Sequence, residues 1–285
     1  MVARLRAAGN RVYLAVALVA LIVLVATAPP QKPSTNSFTN GMAVAKWMVG
    51  YYRQPEPHRA ADAMTVLSVE GGLQAEHRFM TIAAFLAGVI DGDARVAGDL
   101  VAHAANAGAD QQRLLAQAVV LSRRRDEVLA TVTAKLPRAQ EAIARLAADR
   151  ATADTLRNPI GGSTAALDFY WAYFMATGKD EAVAAVIAAV AGTLQDGDLQ
   201  GMMAGHAAKW LLAANAGQHP ALMQACRKAA AETGPLAEAL KDVVAAAEAG
   251  DAPRIRREWR VAIRDWKARQ ERAPELSATS ARGGA

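Results

Sequence analysis

The residues of this 285-residue chain that invite chemistry are five histidines, one cysteine and two Asp-Gly-Asp triplets. His58, His77, His103, His206 and His219 are scattered, with no HExxH and no His/Cys set at zinc spacing, so no metal ligand is assigned. Asp91-Gly92-Asp93 and Asp196-Gly197-Asp198 pair carboxylates as calcium loops do. Their twelfth positions fall on Ala102 and Ala207, where a bidentate glutamate is required. Each triplet therefore reads as a helix stop followed by the N-cap of the next helix. Gly161-Gly162-Ser163-Thr164 opens a helix but lacks the lysine and spacing of a phosphate loop, and reads as a glycine turn with a Ser163 cap. Cys226 has no histidine nearer than His219 to act as its base and reads as an inert thiol. With no catalytic residue and no cofactor assigned, the chain is read as a non-enzyme.

Recognition chemistry is richer. Phe169, Tyr170, Trp171, Tyr173 and Phe174 are crowded into one helix, so their rings cover more than one face. One face must bury in a core; the remaining rings either fill the core between hairpins as well or line a groove, since Trp and Tyr are common interface anchors. Met203, His206 and Trp210 share neighbouring turns of a later helix. The candidate interaction surface is Tyr170, Trp171, Tyr173, Phe174, Met203, His206 and Trp210. The alternative is an enzyme or small-ligand site in the Asp168, Tyr170 and His206 region. Further on, Ile255, Trp259, Ala262, Ile263 and Trp266 form an apolar stripe on a helix whose basic face carries Arg256, Arg260 and Arg264. That helix either caps the helical body or lies on anionic lipid through residues 252–272.

The elements that position these residues are helices. Hydrophobic residues make up 53% of the chain and aromatics only 5%, with alanine abundant and β-branched runs short. Glycine and proline punctuation divides residues 41–157 and 163–272 into two sets of helices joined by the loop Asn158-Pro159-Ile160-Gly161-Gly162-Ser163. In order, helices are expected over residues 41–53, from about 57 to 71, 74–90, 94–107, and from 110 with Asp110 as N-cap. One more runs through Val128, Leu129 and Val132, and another lies beyond Pro137. The second set covers 164–177, 181–191, 199–216, 220–232, 236–249 and 252–272, leaving 273–285 as a disordered tail. Within each set the helix pairs recur at about 32–37 residues, the period of stacked helical hairpins.

Before the body, residues 12–28 contain no charged side chain. Arg4, Arg6 and Arg11 precede them, and Pro29-Pro30-Gln31-Lys32-Pro33 opens a linker that runs to residue 40. As a helix the apolar run would span about 25 Å, the short end of a bilayer crossing. The arginines of residues 1–11 hold the N-terminus in the cytoplasm and deliver the body to the periplasm. Ala26-Thr27-Ala28 supplies small residues for signal peptidase, but Pro29 in the next position resists cleavage. A single-pass inner-membrane anchor is expected; the alternative is release to the periplasm, or secretion, after cleavage near residue 28. The net charge of +5 is concentrated at the ends, residues 253–272 holding eight basic and three acidic side chains. With an exported body, no nucleic-acid partner is expected.

Two segments carry a resemblance. Phe174 and Gly178, with small residues in the partner helix, resemble a tetratricopeptide (TPR) repeat, although the usual alanine falls at Val183 and no proline ends the unit. The stretches from Leu167 to Gly178 and from Ala207 to Pro220 also resemble a loose group of exported, alanine-rich bacterial helical proteins with no assigned activity. These likenesses imply an envelope location and no catalytic residue. The expected fold is all-α: stacked helical hairpins, a TPR-like α-solenoid, after an N-terminal membrane segment. The expected function is a membrane-anchored envelope scaffold for protein–protein interaction, its partner unidentified.

Overall fold

Where alanine dominates and β-branched runs are absent, the backbone has little reason to extend, and it does not. The computed structural model describes residues 37–136, 164–195 and 198–282, and no strand occurs among them. Twelve α-helices follow one another: α1 (Gly41–Gly50), α2 (Ala60–Val69), α3 (Glu76–Gly92), α4 (Ala94–Ala105), α5 (Ala109–Leu121) and α6 (Arg125–Lys135) precede the undescribed stretch. After it come α7 (Thr164–Thr177), α8 (Asp180–Ala189), α9 (Leu199–Ala216), α10 (Pro220–Ala230), α11 (Pro235–Glu248) and α12 (Ala252–Arg282). Short 3-10 turns occupy Tyr51–Arg53, Pro57–Arg59 and Val190–Leu194. The all-α class is thus what the composition predicts. The apolar run 12–28 and the loop at 158–163 lie outside the described residues. Among those described, no helix is long and apolar enough to cross a membrane.

Local signals set most helix ends. Asn40, Asp93 and Asp198 accept the backbone N–H of Ala43, Arg95 and Gln200, capping α1, α4 and α9. Pro220 and Pro235 open α10 and α11, where the missing N–H is not needed. Gly178 closes α7 at φ 63°, against the Tyr52 ring. Most boundaries fall within two residues or so of the sequence reading, and three differences stand out. The chain tightens to a 3-10 turn at Tyr51 instead of continuing α1, and Gly108 rather than Asp110 precedes α5, Asp110 lying in its first turn. Residues 273–282, expected to be disordered, continue α12 as far as Arg282.

The core is organised around α3. Every residue from Ile82 to Ile90 is buried, so this stretch of the helix has no solvent face. It packs on α4, α5 and, most extensively, α7. Gly88 makes the α7 contact possible: a Cβ there would stand 2.6 Å from the Ala176 Cβ and 3.2 Å from Thr177 Cγ2. One turn on, Asp91 accepts hydrogen bonds from Tyr173 Oη at 2.7 Å, Ser122 Oγ at 2.5 Å and the Arg123 N–H at 2.9 Å. One carboxylate thereby ties α3, the end of α5 and α7 together. Away from that seam, packing is mostly sequential. In the first set α1 meets α2, α4 meets α5 and α6, and α5 meets α6; in the second, α8 meets α9 and α10, and α10 meets α11.

Gly88→Ala is therefore expected to lower stability by about 1–3 kcal/mol, the usual cost of overpacking. Adding Ala176→Gly should return most of that loss, because the inserted methyl then meets a vacated one. Urea unfolding of the wild type, both single variants and the pair checks the coupling; strictly additive effects would rule out the close approach.

Candidate functional site

The two groups of residues expected to form one recognition surface lie on α7 and α9, which pack against each other. On α7, Phe169, Tyr173 and Phe174 are buried, and Tyr170 and Trp171 are half-buried against the core. Trp171 and Phe174 turn to His219, the residue before α10, with ring centroids 5.3 and 5.9 Å away. Tyr52 closes the cluster, its ring 5.0 Å from Phe174 and its hydroxyl 3.2 Å from His219 Nδ1. His219 is fully buried and its Nε2 has no partner. Burial, and then the charge of Arg53, keep its pKa below the ordinary histidine value, so the ring is neutral near pH 7. These aromatics fill a seam. They do not line an open groove.

Met203, His206 and Trp210 lie within about 60° on one face of α9, and the second recognition element meets them there. The Arg256 guanidinium of α12 lies over the Trp210 ring at 5.6 Å. His206 is half-buried, with its pKa lowered by burial and by Lys209 and raised in lesser degree by Glu258 of α12. Asp168 and Tyr170 point about 160° apart on α7.

The helix α12 enters this seam by its apolar stripe. Ile255 is fully buried, and Trp259, Ile263 and Trp266 are half-buried. It packs on α9 and α11. A half-buried ion network fastens its first turns: Lys209 Nζ reaches Asp242 Oδ2 at 2.9 Å, and Arg254 Nη2 reaches Asp242 Oδ1 at 2.6 Å. Arg254 also pairs with Glu258 at 2.6 Å. Burial alone would raise the Asp242 carboxyl, but the hydrogen bonds from Lys209 and Arg254 outweigh it and hold the pKa below the usual carboxylate value.

On the flank away from these contacts, Arg256, Arg260, Arg264 and Lys267 fall within an arc of about 80°. Arg264 is shared with its neighbour Asp265, whereas Arg260 and Lys267 have no ion-pair partner among the described residues. All four are exposed. The site is therefore a basic edge on a helix whose apolar face is docked on its own body. The ion network that fastens it was not legible in the chain, because Lys209, Asp242 and Arg254 sit on three helices with no local spacing to link them.

Other chemical candidates resolve as structure. Cys226 is fully buried and its thiol is pushed up to about 11 by burial, which leaves it protonated and unreactive. His103 Nε2 lies 3.0 Å from Thr65 Oγ1 and 3.2 Å from Gln111 Oε1, a satisfied core contact. No group of three or more His, Cys, Asp or Glu able to hold a metal occurs among the described residues.

Asp242→Asn is expected to cost about 1 kcal/mol at pH 7, solvent keeping a partly exposed pair in that range. A depressed folded pKa means that the contribution is present above the unfolded value of about 3.9 and fades as pH falls through the lower folded one. Urea unfolding from pH 7 to pH 3 should show wild type and variant converging in acid; a constant gap would contradict the assignment. No protein-family model, no curated protein and no solved structure matches this chain.

Proposed function

We propose that the protein is a membrane-anchored envelope protein whose helical body serves as a scaffold for protein contacts. The apolar run at residues 12–28, with its arginine flank and proline-rich exit, supports the anchor. The sequential packing of neighbouring helices supports a TPR-like reading of the body as stacked hairpins, with α12 sealing one end. The observation that carries the docking role is the row Arg256, Arg260, Arg264 and Lys267. Four cations are held in line on an ordered helix, and three of them, Arg256, Arg260 and Lys267, have no ion-pair partner among the described residues. An acidic segment of a partner protein is the complementary ligand, steered by charge and seated beside Trp210.

A second reading has its own support. The stripe Ile255, Trp259, Ile263 and Trp266 next to a basic row is also the pattern of a helix lying on anionic headgroups. With Ile255 fully buried in the body, that stripe is already engaged at its start, which favours the protein partner.

The deciding measurement is capture from solubilised membranes by tagged full-length protein and by the variant Arg256→Gln, Arg260→Gln, Arg264→Gln. These surface changes should leave the melting temperature within a few degrees, each costing at most about 1 kcal/mol. The wild type should retain a partner that is released as salt shortens electrostatic range, and the variant should not retain it. Capture that is unchanged in the variant would remove the basic edge from the function. Salt-sensitive flotation with anionic vesicles, lost in the variant and with no captured protein, would replace the protein partner by lipid. For the anchor, the mature chain should fractionate with membranes at full-length mass; a soluble species beginning at Pro29 would exclude it.

A further inference from the structure

A cavity of about 430 Å³ opens between the 3-10 turn after α1, the end of α3 and the end of α7. It shares no residue with the α12 row, so its occupancy stands apart from the docking reading. Its volume is that of a small-molecule site. Val89, Ala176 and the ring of Tyr52 supply apolar lining, and Gly92 leaves one side open, since a Cβ there would meet nothing within 4 Å.

The polar groups are divided by sign. Tyr51 lines the cavity and is 4% exposed, and its hydroxyl makes no hydrogen bond among the described residues. Asp93 lies close enough to act on that hydroxyl, which burial and the carboxylate together keep protonated, its pKa pushed up to about 12. The Asp93 carboxylate is met by the exposed side chain of Arg95, at 3.0 Å from Nε and 2.8 Å from Nη2, and stays ionised. The helices α3 and α7 end at this lining, at Gly92 and Thr177, so two partially negative C-termini border the cavity. Lys179 provides the opposite charge. It lines the cavity, is exposed, and has no ion-pair partner among the described residues.

A plain cation would be drawn to Asp93 but repelled by Lys179, and a plain anion would meet the reverse. A ligand bearing both charges a few bonds apart satisfies both ends. We propose that this cavity binds a free α-amino acid, its ammonium held by Asp93 and the Tyr51 hydroxyl, its carboxylate by Lys179, and its side chain against Val89 and Tyr52. The Tyr51 hydroxyl, which makes no hydrogen bond among the described residues, is available at the lining for that contact.

The test uses the full-length chain in detergent and pools of free L-α-amino acids, read by saturation-transfer NMR at about 10 mM, where even a millimolar site is filled. At least one amino acid should receive transfer. Calorimetric titration of that compound beside its decarboxylated amine and its deaminated acid should show each analogue weaker by about tenfold or more, the loss of one charge-assisted contact. Gly92→Leu should fill the cavity and abolish transfer without lowering the melting temperature, since leucine is the better helix former. Lys179→Met should bring the amino acid and its amine to similar affinity. Absence of transfer from every amino acid, an analogue that binds as tightly as its parent, or transfer that survives Gly92→Leu would each overturn the proposal.

Discussion

The close crossing of α3 and α7 is the constraint on which the rest of the body depends. Helices usually lie 8–10 Å apart, set by the side chains between them. Here Gly88 faces Ala176, and removal of the intervening side chain lets the two backbones approach. The approach places Tyr173 Oη where the Asp91 carboxylate can accept its proton at 2.7 Å, although 82 residues separate them. Asp91 also holds Ser122 and the Arg123 N–H, and Arg123 pairs with Glu181 of α8 at 2.6 Å. Three donors meet this half-buried carboxylate, and loss of any one would remove a charge-assisted hydrogen bond from the seam. The same crossing brings Tyr52 to His219 and forms the cavity beside Lys179.

At the other end of the body a different balance operates. Helix α12 is docked by apolar contact at its start and by the Asp242 ion network, and both fix its rotation. With Ile255 turned inward, helical geometry sends Arg256, Arg260, Arg264 and Lys267 to one outer edge. The acidic residues Asp251, Glu258 and Asp265 fall on the opposite flank, where Arg254 and Arg257 engage the first two. Between residues 252 and 267 the carboxylates are kept off the basic row. That arrangement leaves beside Trp210 a row in which only Arg264 has an ion-pair partner among the described residues, and the docking reading rests on it.

Helix order was legible in the chain because its causes are local. Caps at Asp93 and Asp198, prolines at 220 and 235, and glycine at 178 act within a few residues, and α9 runs from Leu199 to Ala216 as the spacing predicts. The site was legible only in its parts. His206, Trp210 and Arg256 each stood out by residue type, but the meeting of α9 with α12 depends on how two amphipathic faces rotate, and no short-range signal sets that. The aromatic run on α7 left two readings open for a related reason. Five neighbouring rings imply more than one occupied face, and whether the second face meets solvent or a buried helix such as α3 is decided by its partner.

By itself the sequence determined an all-helical body, most helix boundaries, an inert-looking thiol, and the uneven placement of basic charge, all consequences of local propensity and composition. The tertiary structure decided that Asp91 is a tie between helices as well as part of a helix stop, that His219 is sealed among Tyr52, Trp171 and Phe174, and that Tyr51, Asp93 and Lys179 border one cavity. Those outcomes join residues up to 167 positions apart. They depend on the shape and volume of facing helices, which a reading of periodicity along one chain does not contain.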